Sequence, residues 1–178
     1  MNRLREPRGH HSCPGVRAAL RGLGLVVLIL ANPLAAKESL GVFGQWGAFR
    51  DAQPPRCYAI AAARENGARR DFAPFASVGT WPRHEVRGQV HFRLSRALRE
   101  GARIALRVDN RSFTLDGGGS DVWAPDRQAD AAIVAAMRSG GSMQISTVDA
   151  SGRRFTDRYS LEGAATALDA ASVGCSMR

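Results

Sequence analysis

Lysine is almost missing from this chain. Lys37 stands alone among 25 basic residues, so arginine carries nearly all the positive charge. Arginine usage on this scale reads as GC-rich coding and says little about any one position. Cysteine is scarce as well, with Cys13, Cys57 and Cys175 the only three in 178 residues. A spanning helix needs about 20 apolar residues, and the best candidate run, residues 23–36 (LGLVVLILANPLAA), has 14. The glycine triplet at 117–119 lacks the Lys-Ser/Thr that a phosphate-cradling loop carries. These absences argue against a membrane-spanning helix and a P-loop nucleotide enzyme. No internal repeat, low-complexity tract or interdomain linker breaks the chain.

What is present at the N-terminus reads as an export signal. Arg3, Arg5, Arg8, Arg17 and Arg21 precede the short apolar run, Asn32-Pro33 ends it, and Ala35-Ala36 supply small residues for cleavage. The expected arrangement is a signal peptide over 1–36, cleaved after Ala36, and one domain over 37–178 with no transmembrane anchor left. The expected location is periplasmic or secreted. Five arginines and Glu6 belong to the leader, so the formal net charge falls from +9 to +5 on cleavage. Cys13, with His10 and His11, goes with it.

Cys57 and Cys175 then remain, in a compartment where thiols within reach normally pair. A disulfide between them is expected. It would close a loop whose entropy is worth roughly 4–5 kcal/mol in the chain-entropy model. A catalytic thiol would need a neighbouring histidine, and a zinc site would need three or four ligands at metal spacing. The two Cys and two His left, the latter His84 and His91, do not supply that spacing. No catalytic, cofactor or metal residues are assigned.

Residues 40–159 read mostly as strands. Expected runs are 43–49, 57–62 after a polar turn at 51–55, and 75–81. Alternation of Val90, Phe92 and Leu94 with His91 and Arg93 predicts a half-buried strand, as does Ile104, Leu106, Val108 against Ala105 and Arg107. Asp109-Asn110 predicts a hairpin turn into Phe113 and Leu115, and 117–119 a loop. A helix capped by Asp126 is expected to bury Ala129, Ile133, Ala136 and Met137. Met143, Ile145 and Thr147 alternate again, and 154–159 forms another strand. A last helix, capped by Ser160 and ended by Gly174, is expected to bury Leu161, Ala165, Leu168 and Ala171. The fold class is mainly β, α+β: one small sandwich or open barrel of antiparallel strands with two late helices packed on it.

Charge is polarised along the chain. Between 83 and 111 lie eight arginines against Glu85, Glu100 and Asp109, and the next stretch is acidic, with Asp116, Asp121, Asp126 and Asp130. Arg87, Arg93, Arg103 and Arg107 are candidates for one face that binds an anionic ligand: lipopolysaccharide phosphate, an anionic lipid headgroup or an acidic envelope protein. The competing reading is a solvated sheet face. Nucleic acid is not expected, because basic residues are not interleaved with aromatics. Trp46, Trp81 and Trp123 read as core anchors sooner than as a groove.

Several stretches resemble the invasion-associated locus B family of exported proteobacterial proteins. They are Gly44-Gln45-Trp46 just after the leader, Cys57-Tyr58, residues 130–143 (DAAIVAAMRSGGSM) and residues 159–170 (YSLEGAATALDA). Ala164 stands where that family usually has Phe, and GSDVWAP lacks cysteines the family often carries, which marks a divergent branch. The resemblance implies an exported, non-enzymatic envelope or secreted protein and specifies no chemistry. The alternative from another class is a periplasmic enzyme of hydrolase type using His84 or His91 beside a carboxylate such as Glu85.

Overall fold

The computed structural model describes residues 37–176; the leader and its cleavage site fall outside the described residues. Ten strands form one antiparallel sheet: β1 (Glu38–Phe43), β2 (Trp46–Ala52), β3 (Pro55–Ala62), β4 (Phe75–Trp81), β5 (Val86–Arg93), β6 (Ile104–Val108), β7 (Arg111–Gly118), β8 (Asp121–Trp123), β9 (Ser142–Val148) and β10 (Arg154–Ser160). Their order across the sheet is β1-β2-β3-β4-β5-β8-β7-β6-β9-β10. Helix α1 (Arg127–Ser139) lies between β8 and β9 in sequence, and α2 (Ala164–Ser176) follows β10. Of the sandwich and the open barrel expected, this single sheet, which does not close, is nearer the second.

The inner face is built by the alternating residues. Val90, Phe92, Leu94, Ile104, Leu106, Val108, Met143 and Ile145 are all buried, together with Ile133 and Met137 of α1 and Leu168 of α2. Asp126 caps α1, its carboxylate accepting from the Ala129 N–H at 2.7 Å. Asp130, one turn on, is buried and accepts from the Val90 N–H at 2.8 Å, which satisfies a strand donor where β8 does not reach β5. Burial holds its carboxyl above the ordinary carboxylate value.

The sheet does not close, yet its two ends touch. The Trp46 indole N–H donates to the Ser160 carbonyl at 2.9 Å, and the Gln45 N–H to the Glu162 carbonyl at 3.1 Å. Gly163 makes this approach possible. Its φ is +84°, and a Cβ there would lie 1.8 Å from the Phe43 carbonyl oxygen, so no side chain fits.

Several local expectations shift. Residues 43–49 are not one strand: Gly44, at φ +55°, turns the chain from β1 into β2. Gly117 and Gly118 belong to β7, opposite Val122 and Asp121. Ser160 ends β10 and does not cap α2, although its hydroxyl accepts from the Glu162 N–H at 3.3 Å. The buried stripe of α2 is Ala164, Ala167, Leu168 and Ala171, with Ala165 half-buried. Gly174 lies inside α2 instead of ending it, because Leu40 of β1 occupies the space a Cβ would take.

Candidate anion-binding surface

Cys57 is buried on the inner face of the sheet near the start of β3, and Cys175 is in the last turn of α2. A disulfide joins them, with Cα atoms 5.8 Å apart across 118 residues of sequence. The bond fastens the last helix to an early strand, and Cys57 is 1% exposed, beyond the reach of a substrate.

The four arginines singled out from the sequence do not share one surface. Arg93 points outward on β5, but lies 4.0 Å from Asp121 and over the Phe72 ring, 5.5 Å from its centroid. Arg87 points to the other side of the sheet. A bulge between Gly79 and Trp81, with Gly88 at φ +66°, resets the alternation, so Arg87 faces the helices. Arg103 and Arg107 do stand together on the outer side of β6, where Ile104, Leu106 and Val108 take the inner positions.

Their companions come from distant parts of the chain. Arg107 pairs in register with Gln144 of β9, and Gln144 with Arg158 of β10, so two arginines flank one glutamine at strand spacing. The next row is small: Ala105, Ser146 and Thr156, with the two hydroxyls 3.1 Å apart. Beyond it Arg103 and Arg154 close the face. Arg64 joins the first pair around a cleft of about 420 Å³, and Arg99 the second around one of about 480 Å³. None of these six arginines forms an ion pair among the described residues. Asp109 shares the first cleft, but its carboxylate is held by the N–H groups of Gly141 and Ser142, at 3.0 and 3.1 Å, which lower its pKa. Arginines on strands two apart, about 10 Å between their backbones, around hydroxyl-bearing small residues suit a ligand with several phosphates or carboxylates.

Arg64, Arg154 and Arg158 lie outside the 83–111 arginine segment, and a charge count along a window misses them. A signal was available: RFTDRYS places Arg154, Thr156 and Arg158 at period two, on the face opposite buried Asp157 and Tyr159.

The two histidines occupy different settings. His84 is exposed in the short 3-10 turn Pro82–His84. His91 Nε2 lies 2.9 Å from Asp121 Oδ1, and its ring stacks on Trp123 with centroids 5.0 Å apart. Opposite it, the Ser77 hydroxyl aims at the His91 carbonyl at 3.5 Å and not at the ring, so Ser77 is not aligned with the pair as a nucleophile. Of the three tryptophans, Trp46 is fully buried, while Trp81 and Trp123 lie on the outer face.

No family model matches the chain, and no curated protein matches it either. Among solved structures, it is similar to the crystal structure of invasion associated protein B from Bartonella henselae. The two are 18% identical with a TM-score of 0.56, over 78% of this chain and 96% of that one. At this identity the likeness is one of fold, a distant relationship that agrees with the resemblance read from residues 44–46, 57–58, 130–143 and 159–170.

Proposed function

We propose that this is an exported, non-enzymatic binding protein whose six-arginine face docks on the phosphate-bearing surface of the cell envelope. In this reading residues 1–36 are a leader removed after Ala36, and residues 37–178 act in the periplasm or outside the cell. The observation that carries the reading is the absence of ion-pair partners for Arg64, Arg99, Arg103, Arg107, Arg154 and Arg158 among the described residues. In a fold with many carboxylates, a cluster of guanidinium groups without ion pairs, that of Arg107 bonded only to the Asp109 carbonyl at 2.8 Å, has its counter-charge elsewhere. Support for export comes from the long-range disulfide, which suits an oxidising compartment. The fold likeness to invasion associated protein B supports the same setting without naming a ligand.

Co-sedimentation with vesicles tests it, using protein recovered from the envelope and sequenced to begin at Lys37. Vesicles of phosphatidylglycerol with phosphatidylcholine should bind the protein, and pure phosphatidylcholine vesicles should not. Raising salt from about 0.05 to about 0.5 M should release it, because screening shortens to a few ångströms. Arg107→Gln with Arg158→Gln should weaken binding about thirtyfold, at about 1 kcal/mol for each arginine near an anionic surface. Unchanged binding by that variant at low salt would reduce the face to a solvated one. Binding to an acidic envelope protein in the absence of any vesicle affinity would move the reading to a protein partner.

A further inference from the structure

On the opposite side of the sheet from the arginine face, a groove of about 580 Å³ runs between the two helices. Its walls are one stripe of each helix. From α1 come Arg127, Ala131, Val134 and Arg138, spaced four, three and four residues apart. From α2 come Leu168, Ala171, Ser172 and Cys175, and the floor is Val78, Thr80 and Gly88 of the sheet. The stripe of α1 spans about 16 Å at 1.5 Å per residue. The volume falls within the range of about 300–1,000 Å³ usual for small-molecule sites.

Charge is unequal along the groove. At one end Arg138 is neutralised by Asp169 of α2, 2.7 Å away. At the other end Arg87 and Arg127 line the groove with no ion pair among the described residues. Both line the same groove, and the bond from the Val90 N–H to Asp130 fastens α1 to β5, the two elements that carry them. Between the ends Ala131, Val134, Leu168 and Ala171 form an apolar strip, with Thr80, Ser172 and Ser176 as polar neighbours. A cationic mouth beside an apolar strip matches an amphiphile with one anionic head and one hydrocarbon chain. Neither a free anion nor a neutral apolar molecule would use both parts.

We propose that this groove binds a single-chain anionic amphiphile, an acyl chain ending in a phosphate or carboxylate. The chain lies along Val134, Leu168 and Ala171, and the head sits between Arg87 and Arg127. The site is separate from the outer arginine face and does not depend on it.

Titration calorimetry with dodecyl phosphate, held below its micelle concentration, tests the proposal. Dodecyltrimethylammonium and inorganic phosphate serve as the chain-only and head-only probes. Dodecyl phosphate should bind at one site, with both controls at least about tenfold weaker, since each lacks one of the two contacts. Arg87→Gln with Arg127→Gln should weaken dodecyl phosphate at least about tenfold, while Arg107→Gln with Arg158→Gln leaves it unchanged. Ala131→Trp, at an exposed position, should block the groove; thermal melting of each variant checks that the fold persists. Amide NMR shifts on titration should cluster at 131–138 and 168–176. Equal binding of the cationic probe, equal binding of inorganic phosphate, or loss of binding in the outer-face variant alone would overturn the proposal.

Discussion

The two halves of this sheet's outer face follow the same alternation and end in opposite conditions. Across β2–β5 and β8 the outward residues cover one another. The Phe49 and Tyr58 rings lie 5.7 Å apart, with Lys37 and Arg56 over them. Trp81 folds over Gly79, where a Cβ would lie 2.5 Å from the ring, and Phe49 covers Gly47 in the same way. His91 is enclosed between Phe75 and Trp123. Cations in this half have rings or carboxylates for company. Across β6, β9 and β10 the outward residues are arginines, Gln144, Val148 and small hydroxyl or methyl side chains, and these arginines form no ion pair among the described residues. One half is finished within the chain; the other presents charge to whatever comes from outside. Strand pairing therefore does not decide what a sheet face does. The residues at period two decide it.

The fastenings of the halves differ too, and breaking them should separate the two. Cys57→Ser with Cys175→Ser removes the bond that ties β3 to α2 in the aromatic half. The expected loss is large, up to about 4–5 kcal/mol by loop entropy for so long a loop. Urea unfolding of oxidised and reduced wild-type protein should reproduce it. A midpoint unaffected by reduction would mean that packing of α2 already holds the sheet.

Trp81→Ala comes next. It strips the ring from Gly79 and should cost about 2 kcal/mol, less than a fully buried tryptophan because Trp81 is half-buried. The matching change in the other half, Arg107→Gln with Arg158→Gln, should alter stability by less than about 1 kcal/mol. Comparable losses from both would erase the contrast.

A finer test concerns Asp149, which fastens the turn between β9 and β10. Its carboxylate accepts from the Ser151 hydroxyl at 2.6 Å, the Ser151 and Arg153 N–H groups at 3.0 Å, and Arg96 at 3.1 Å. These bonds, that from Ser151 foremost, hold its pKa well below the ordinary 3.8. The contribution is therefore present above that value and lost as pH falls through the lower, folded one. Asp149→Asn should melt at a lower temperature than wild type at neutral pH. The gap should narrow as pH drops below 3.8. A gap that does not change with pH would show that shape, not charge, is what the turn needs.

The inner face was legible because burial leaves a periodic trace. Val90, Phe92 and Leu94, or Ile104, Leu106 and Val108, name their own strands, and Asp126 names the start of α1. The outer site was legible only in part. Arg103 and Arg107 lie on it, but Arg154 and Arg158, about fifty residues further on, reach it through the pairing of β6 with β9 and of β9 with β10, which no window along the chain records. Arg87 left the predicted face because a single bulge, between Val86 and Gln89 of β5, inverted the alternation relative to the run at 90–94. Gly163 was visible only as one letter of a resembling segment; its reason, a carbonyl 1.8 Å from the missing Cβ, exists only once β1 and α2 meet.

That contact at Gly163 also bears on the order in which the molecule is completed. Trp46 is bonded to Ser160, 114 residues away, and Cys57 to Cys175, 118 residues away. Contacts so remote in sequence form slowly, because the loop between them must be ordered first. The curled sheet cannot be fastened until the stretch beyond Asp157 is present to meet β1 and β2. A chain emerging N-terminus first therefore carries its opening strands unsealed for nearly its whole length, and its final segment acts as the closing step of folding.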